Sequence, residues 1–500
     1  MDNRWNAGQV YMRDKRRIFL KYLIIACLVS ASNVIFCFNQ IASYFVIAIE
    51  VVFLLYILLA KNLAEYISYF MIFMCNCIEF AVFTGEDTFY SFKNFRIFGV
   101  NLGIFMLLPI FLFGITSIQS PRIKIRKGKF NFAQGLICLN VIALLMGLLL
   151  VFVNDNNINA LGNIGSKFLN ETYAMTFLPL AFIVAFAVIK QKYNCKMFEI
   201  GLALQATLWA NVFQMLVSLL GGLKGSYGVL STLQGSILNF LIPFLIIYRF
   251  CESEVVFPRL TTVVGMIGSI LAISYNANGK LIMLFFICVM IYWWFSFRYG
   301  SAFLRIIAFI EIFVAIGALP FIIIFLRENA LFNAKFGEVE KLINIFSSDW
   351  LNNLNMSVRI RVEEFRDVMI EYSKKPWLAI TGKGYLGSIL DHTGYFTSHI
   401  FKPDGFVSED EFVHHIYYAL HEGTSYIIVY GSVGLVFMIR FITDAIRRLA
   451  RYANIPLIIG VYWFVLFYGY SFTLSTFGII ALLYAYQIDC KRELVGVSGK

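Results

Sequence analysis

Three arginines and three histidines give this chain its clearest capacity for chemistry. Arg359, Arg361 and Arg366 fall in one short stretch, and His414, His415 and His421 follow further along. A guanidinium is a planar fork of donors that grips phosphate oxygens in pairs, so an arginine cluster points to a phosphate or diphosphate ligand. The alternative is a solvated face on which the same arginines pair with Glu363 and Glu364, an arrangement of little energetic weight. Arg359 and Arg366 are seven residues apart and share a helix face, whereas Arg361 points elsewhere. Histidine titrates near neutral pH, so one placed beside a hydroxyl serves as a general base; the alternative is a hydrogen-bonded interfacial residue without chemistry. Asp410 and Glu411 lie at helical spacing from His414 and His415, which makes a metal site conceivable. No HExxH or other recognised ligand spacing occurs, nor a P-loop, GxGxxG, Ser-centred elbow or Cys-pair metal motif. The expected chemistry therefore uses no metal and no cofactor.

The arginines need an element to carry them. Val358, Val362, Phe365, Met369 and Tyr372 recur at i+3 and i+4, which predicts an amphipathic helix over 357–372. Ser357 is its N-cap, and Lys374 and Lys375 suit its C-terminal dipole before Pro376 ends it. That helix belongs to residues 327–424, which hold 14 of the 30 acidic residues and all five histidines, including His392 and His399. A loop of this length usually has its own structure and a function.

Everything around the loop reads as membrane. Hydrophobic residues make up 60% of the chain and charged residues 14%, against about 45–50% and about 25% in soluble domains. Apolar runs recur at 18–38, 41–60, 63–83, 95–118, 132–153, 172–189, 200–220, 229–248, 260–275, 280–297, 304–325, 425–442, 455–472 and 473–488. All but the short runs at 260–275 and 473–488 are long enough to cross a bilayer core about 30 Å thick, and in hydrocarbon the backbone must satisfy its own polar groups, so the runs should be helices. The expectation is an all-α polytopic membrane protein with about 14 transmembrane helices and one large, partly helical outer loop. It divides into 1–326, the first spans; 327–424, the loop; and 425–500, the last spans and a tail.

Basic clusters orient it. Arg13 to Arg17, Arg122 to Lys129, Lys190 to Lys196, Arg447 to Arg451 and Lys491-Arg492 all fall on one side of such a bundle, the cytoplasmic side by the positive-inside pattern. Both termini are then cytoplasmic, the loop lies on the far side, and the first span is retained rather than cleaved. The net charge of +11 is explained by these loops beside anionic lipid, and no soluble basic module for nucleic acid is present. Nearly all of the nine cysteines fall in or beside the apolar runs and none in the loop, so no disulfide framework is expected there. Glu50, Glu65, Glu79, Lys280 and Glu311 lie in or at the ends of spans; each is either a charge paired inside the bundle or a functional group.

The stretch SVRIRVEEFRDVMIEYSKKPWLAITGKGYLGSI (357–389), followed by HEGTSYIIVYGSVGLVFMI (421–439), resembles the O-antigen polymerase and O-antigen ligase superfamily of bacterial surface polysaccharide synthesis. Arg361, Phe365, Pro376 and Gly382-Lys383-Gly384, and then His421 with Gly431-Ser432-Val433-Gly434, follow that family's order. The resemblance covers roughly the last third of the chain. Glu422 follows His421 where the family often has Asn or Ser, and His415 and His414 stand as alternatives for the same role. Asn278-Gly279-Lys280 occupies the place of a Ser-Arg-Gly common in ligases, with Lys280 as the substitute cation.

The resemblance implies a metal-independent glycosyl transfer in a bacterial cell inner membrane, with the loop periplasmic. The donor would be an undecaprenyl-diphosphate-linked oligosaccharide. Arg361, Arg359, Arg366, Lys280 and Lys383 would hold the diphosphate, and His421 or His415 would take the acceptor proton. A polymerase would move the growing chain onto the next lipid-linked repeat unit, with a chain-length regulator protein as a candidate partner; a ligase would move it to lipid A–core. A flippase for the same lipid-linked sugar is the reading from another class, but paired halves with broken helices are not seen in this sequence.

Overall fold

The structure, a computed structural model, describes residues 2–36, 39–60, 62–76, 92, 95–117, 132–153, 177–192, 197–220, 256–257, 260–261, 263–264, 267, 293–294, 297–298, 301–328, 351, 354, 356–398, 416–417, 422–451 and 483. They are mostly helical. The expected spans at 229–248 and 455–472, and all but a few residues of those at 260–275, 280–297 and 473–488, lie outside them.

The amino-terminal helices are α1 (Asp2–Ile35), α2 (Gln40–Leu59) and α3 (Leu63–Cys75). A hairpin of β1 (Arg96–Ile97) and β2 (Val100–Asn101) leads into α4 (Leu102–Ser117). The helices α5 (Phe132–Phe152), α6 (Leu178–Lys192), α7 (Met197–Leu220) and α8 (Ala302–Glu328) follow. Among the described residues four helical stretches are long and apolar enough to cross a membrane, Asp14–Ile35, Ile41–Leu59, Phe132–Phe152 and Phe198–Ser218, and shorter apolar helices accompany them.

One expected boundary moves. The run at 95–118 does not begin as helix. Arg96 pairs with Asn101 and Ile97 with Val100 across a turn at Phe98-Gly99, both with positive φ. Two such residues define a tight hairpin turn, and Asn101 then caps α4 by accepting from the Gly103 N–H at 2.9 Å.

In the bundle α1, α3 and α7 run parallel. Lys21 pairs with Glu65, Tyr22 packs on Tyr69, and Asn33 donates to the Asn76 carbonyl at 2.8 Å. At the α7 side Tyr22 donates to Glu199 at 3.0 Å, and Asn211 donates to Asn76 Oδ1 at 2.8 Å. Asn76 closes α3, so its carbonyl and side-chain oxygen are acceptors that a buried helix end must place somewhere. Every residue of α3 except Glu65 is buried, and the asparagines of α1 and α7 supply its donors. Interhelical polar contacts of this kind hold membrane bundles at roughly 0.6 to 1.7 kcal/mol each. Glu50 is buried at the middle of α2, whereas Glu65 pairs with Lys21.

The carboxy-terminal elements are α9 (Met356–Lys374), α10 (Pro376–Thr381), β3 (Ile389–Leu390), α11 (Tyr395–Ser398), β4 (Ile416–Tyr417) and α12 (Glu422–Arg451). The helix expected at 357–372 is α9. Its predicted stripe divides: Phe365 is 45% and Met369 48% exposed, Tyr372 is buried, and Glu363, Glu364 and Asp367 are buried with Ile360 and Val368.

Candidate functional site

The site is built where α9 and α10 meet α5 and α12. Helices α5 and α12 run antiparallel: Phe132 meets Phe441 edge to face at 5.0 Å, and the Tyr430 hydroxyl donates to Asn140 Oδ1 at 2.9 Å. Gly431, with φ 57° and ψ −155°, breaks α12. A break strands the carbonyls of the preceding turn, which need donors in an apolar setting. The segment Gly382 to Tyr385 supplies them. Lys383 N–H donates to Ile428 O at 2.6 Å and Gly384 N–H to Val429 O at 3.2 Å; the Tyr372 hydroxyl adds a bond to Ile427 O at 3.1 Å.

Glycine is required at both contacts. A Cβ on Gly382 would lie 2.6 Å from Val429 O, and one on Gly384 would lie 2.2 Å from Ala143 O and 2.3 Å from Gly147 N. Gly384 also has φ +70°, a region disfavoured for other residues. The loop thus lodges between α5 and α12. Tyr385 N–H reaches Ala143 O at 3.2 Å, and its hydroxyl reaches Asn140 Oδ1 at 2.6 Å, beside Tyr430. Asn140 is eight residues from one end of α5 and twelve from the other, so the segment penetrates to the middle of that helix.

Lys383 has a defined place. Its side chain is 2% exposed, pairs with Glu371 and donates to Ser388 O at 2.6 Å. The ammonium anchors the loop to α9.

On α9, Glu363 collects two arginines. Its Oε2 accepts from Arg366 at 2.9 Å, and its Oε1 lies 3.8 Å from Arg359 Nε. Arg359 stacks over Tyr395 at 4.7 Å, and its buried Nε has no hydrogen-bond partner. Arg366 is about half exposed. The pairing with Glu363 expected of a charged face is present, and the two guanidinium groups retain donors that a diphosphate could take. Arg361, partly buried, borders the buried face of α9 on the edge opposite Arg359.

Residues 391–396 run back along α9. Asp367 accepts from Thr393 N–H at 2.8 Å, and Ile389 pairs with Tyr417 and Leu390 with Ile416. His392 lies between, with Nδ1 3.3 Å from Lys374 Nζ. An ammonium only donates, so Nδ1 accepts and the proton resides on Nε2, a buried atom without a hydrogen-bond partner. Burial lowers the His392 pKa, Lys374 and Lys383 push the same way, and Glu371 and Asp391 oppose them. A neutral imidazole at neutral pH follows.

His421, His415, His414, Lys280, Glu79, Asp410 and Glu411 lie outside the described residues. In the chain His415 directly precedes β4 and His421 directly precedes α12. Among the described residues no group of three His, Cys, Asp or Glu side chains could hold a metal. Reading the sequence did not single out His392, Glu371, Asn140, Tyr385 or Tyr430; only Asn140, a lone amide within an apolar run, carried a signal. No family model, no curated protein and no solved structure matches this chain.

Proposed function

We propose that the chain is a polysaccharide polymerase of the O-antigen polymerase and ligase superfamily, in a bacterial inner membrane. It has about 14 spans by run length, cytoplasmic termini and a periplasmic loop. The donor is a glycan on undecaprenyl diphosphate, and the acceptor is the next lipid-linked repeat unit. The acceptor hydroxyl oxygen bonds to the donor's anomeric carbon as that carbon's bond to the diphosphate oxygen breaks. His421, with His415 as the alternative, takes the hydroxyl proton. Arg361, Arg359 and Arg366 hold the departing diphosphate, whose growing charge is met by cations already in place.

One observation carries this reading: the loop segment Gly382 to Tyr385 is locked between α5 and the broken α12. That lock holds the arginine-bearing helix against membrane helices, where a lipid-borne diphosphate would present itself. Lys383 supports the lock and leaves the anion to the arginines.

The test is the lipopolysaccharide ladder of cells carrying Arg361→Ala or His421→Ala at normal membrane levels. Both variants should stop chain extension. Normal chain length in both would overturn the mechanism. Deletion of the gene separates the acceptors: core bearing a single repeat unit marks a polymerase, whereas bare core with long polymer still on its carrier marks a ligase.

A further inference from the structure

Helix α9 is built inside out. Its buried face holds Glu363, Glu364 and Asp367 among Ile360, Val368 and Tyr372, and its exposed face holds Phe365 and Met369 beside half-buried Val362. The same side continues into α10, where Trp377 is 45% and Ile380 56% exposed. A helix facing water turns carboxylates out and aromatics in. The reverse order belongs to a helix whose outer medium is not water.

We propose that the Phe365–Met369–Trp377–Ile380 stripe lies in the headgroup–acyl boundary of the bilayer, with phospholipid as its occupant. Three features select lipid. The stripe is continuous with a membrane surface: Ile380 O sits against Gly431, 2.6 Å from where its Cβ would be. Beyond it stand the exposed Val433, Val436 and Ile439 of α12, and the exposed Leu145, Leu148 and Phe152 of α5, a helix long enough to span. The exposed charge bordering the stripe is a cation, Arg366, whose stem lies along apolar surface and whose head can reach anionic headgroups. Trp377 brings an apolar ring with one polar tip, the side chain favoured at that boundary. The α9 carboxylates face inward, where Arg359, Lys383 and the Thr393 N–H meet them. The bilayer thereby sets the height of the arginine helix. The inference rests on the membrane assignment and is independent of the glycosyl-transfer chemistry.

Spin labels on Met369→Cys and Trp377→Cys test it, in the full chain reconstituted into vesicles of phosphatidylethanolamine and phosphatidylglycerol. The parent chain taken through the same labelling supplies the blank for its own cysteines. Collisions with oxygen, which concentrates in hydrocarbon, should exceed those with a water-soluble nickel chelate several-fold at both positions. Nickel in excess would mean a water-facing stripe and would overturn the proposal. Exclusion of both reagents would mean that protein covers it, a second copy if the labels broaden one another, and would overturn it equally. If a cysteine variant fails to insert, quenching by brominated phospholipid is compared between the parent and Trp377→Phe. Loss of a quenched component in Trp377→Phe supports the proposal, and no difference in quenching counts against it. Neither experiment needs donor or acceptor, so the depth of the stripe and the chain-extension activity fail separately.

Discussion

Replacing Gly431 by alanine attacks the lock at its tightest point. Gly431 sits at φ 57° and ψ −155°, a region almost reserved for glycine, and an alanine there costs roughly 1–3 kcal/mol in backbone strain. Its Cβ would also meet Gly382 N at 2.4 Å and Ile380 O at 2.6 Å. Both atoms are backbone, so relief requires α10 and the loop to retreat. Retreat strips the bonds from Lys383 N–H to Ile428 O and from Gly384 N–H to Val429 O, worth about 1 kcal/mol each. The sum is about 4 kcal/mol, and at about 1.4 kcal/mol per decade the undocked loop becomes on the order of a thousandfold more populated. Timed trypsin digestion of the purified protein reads this out. The peptide bond after Lys383 is shielded, since that side chain is 2% exposed, and the variant should be cut there far faster. Hydrogen exchange across residues 378–388 should rise with it. Gly317→Ala in α8 is the control, because an added Cβ there meets nothing within 4 Å. If Gly431→Ala protected Lys383 as well as the parent does, the lock would not be what holds the loop.

Two further outcomes follow from the charges beneath the loop. Glu371→Gln leaves the Lys383 ammonium buried without its carboxylate and should destabilise the protein by about 3–5 kcal/mol. Lys383→Met should cost a similar amount, because it removes the ammonium from a Glu371 carboxylate whose Oε2 is buried with no hydrogen-bond partner; a midpoint of heat denaturation that neither substitution lowers would contradict the pairing. His392, whose pKa is lowered by burial and by Lys374, stays neutral in the folded protein at a pH where the unfolded chain takes up a proton. Stability is therefore full above about pH 6.5 and declines as pH falls below it toward the folded value. His392→Gln should flatten that decline in a series of melts across the range, and an unchanged slope would refute the assignment.

Much of the helical scaffold could be read directly from apolar runs. The spans expected at 41–60, 132–153 and 200–220 coincide within a few residues with α2, α5 and α7, because a continuous apolar run has few other folds in lipid. Helix α9 was likewise legible from its period and from Pro376. Which side of α9 is buried was not, since a hydrophobic period gives a face without naming the medium it meets. The hairpin before α4 was hidden because Phe98 and Gly99 lie within an apolar stretch and only their positive φ values reveal the turn. The Gly-Lys-Gly and the glycine of α12 were visible as a motif, but their purpose is mutual. Gly382 needs Gly431, Gly384 needs Gly147, and no single segment contains both partners. The same holds for Lys383, whose partner Glu371 lies twelve residues away on α9.

The amide of Asn140 sets a timetable for biosynthesis. It waits for two hydroxyl groups, Tyr385 and Tyr430, that lie 245 and 290 residues downstream. At roughly 5–20 residues per second, the ribosome delivers them about 10–60 s after α5 has been made. For that interval an apolar helix carries a polar group in its middle with its eventual partners not yet synthesised. The finished protein buries Asn140 almost completely, yet the growing chain must shelter it by some other contact, so the assembly of this membrane protein ends only when its carboxy-terminal third returns to a helix made long before.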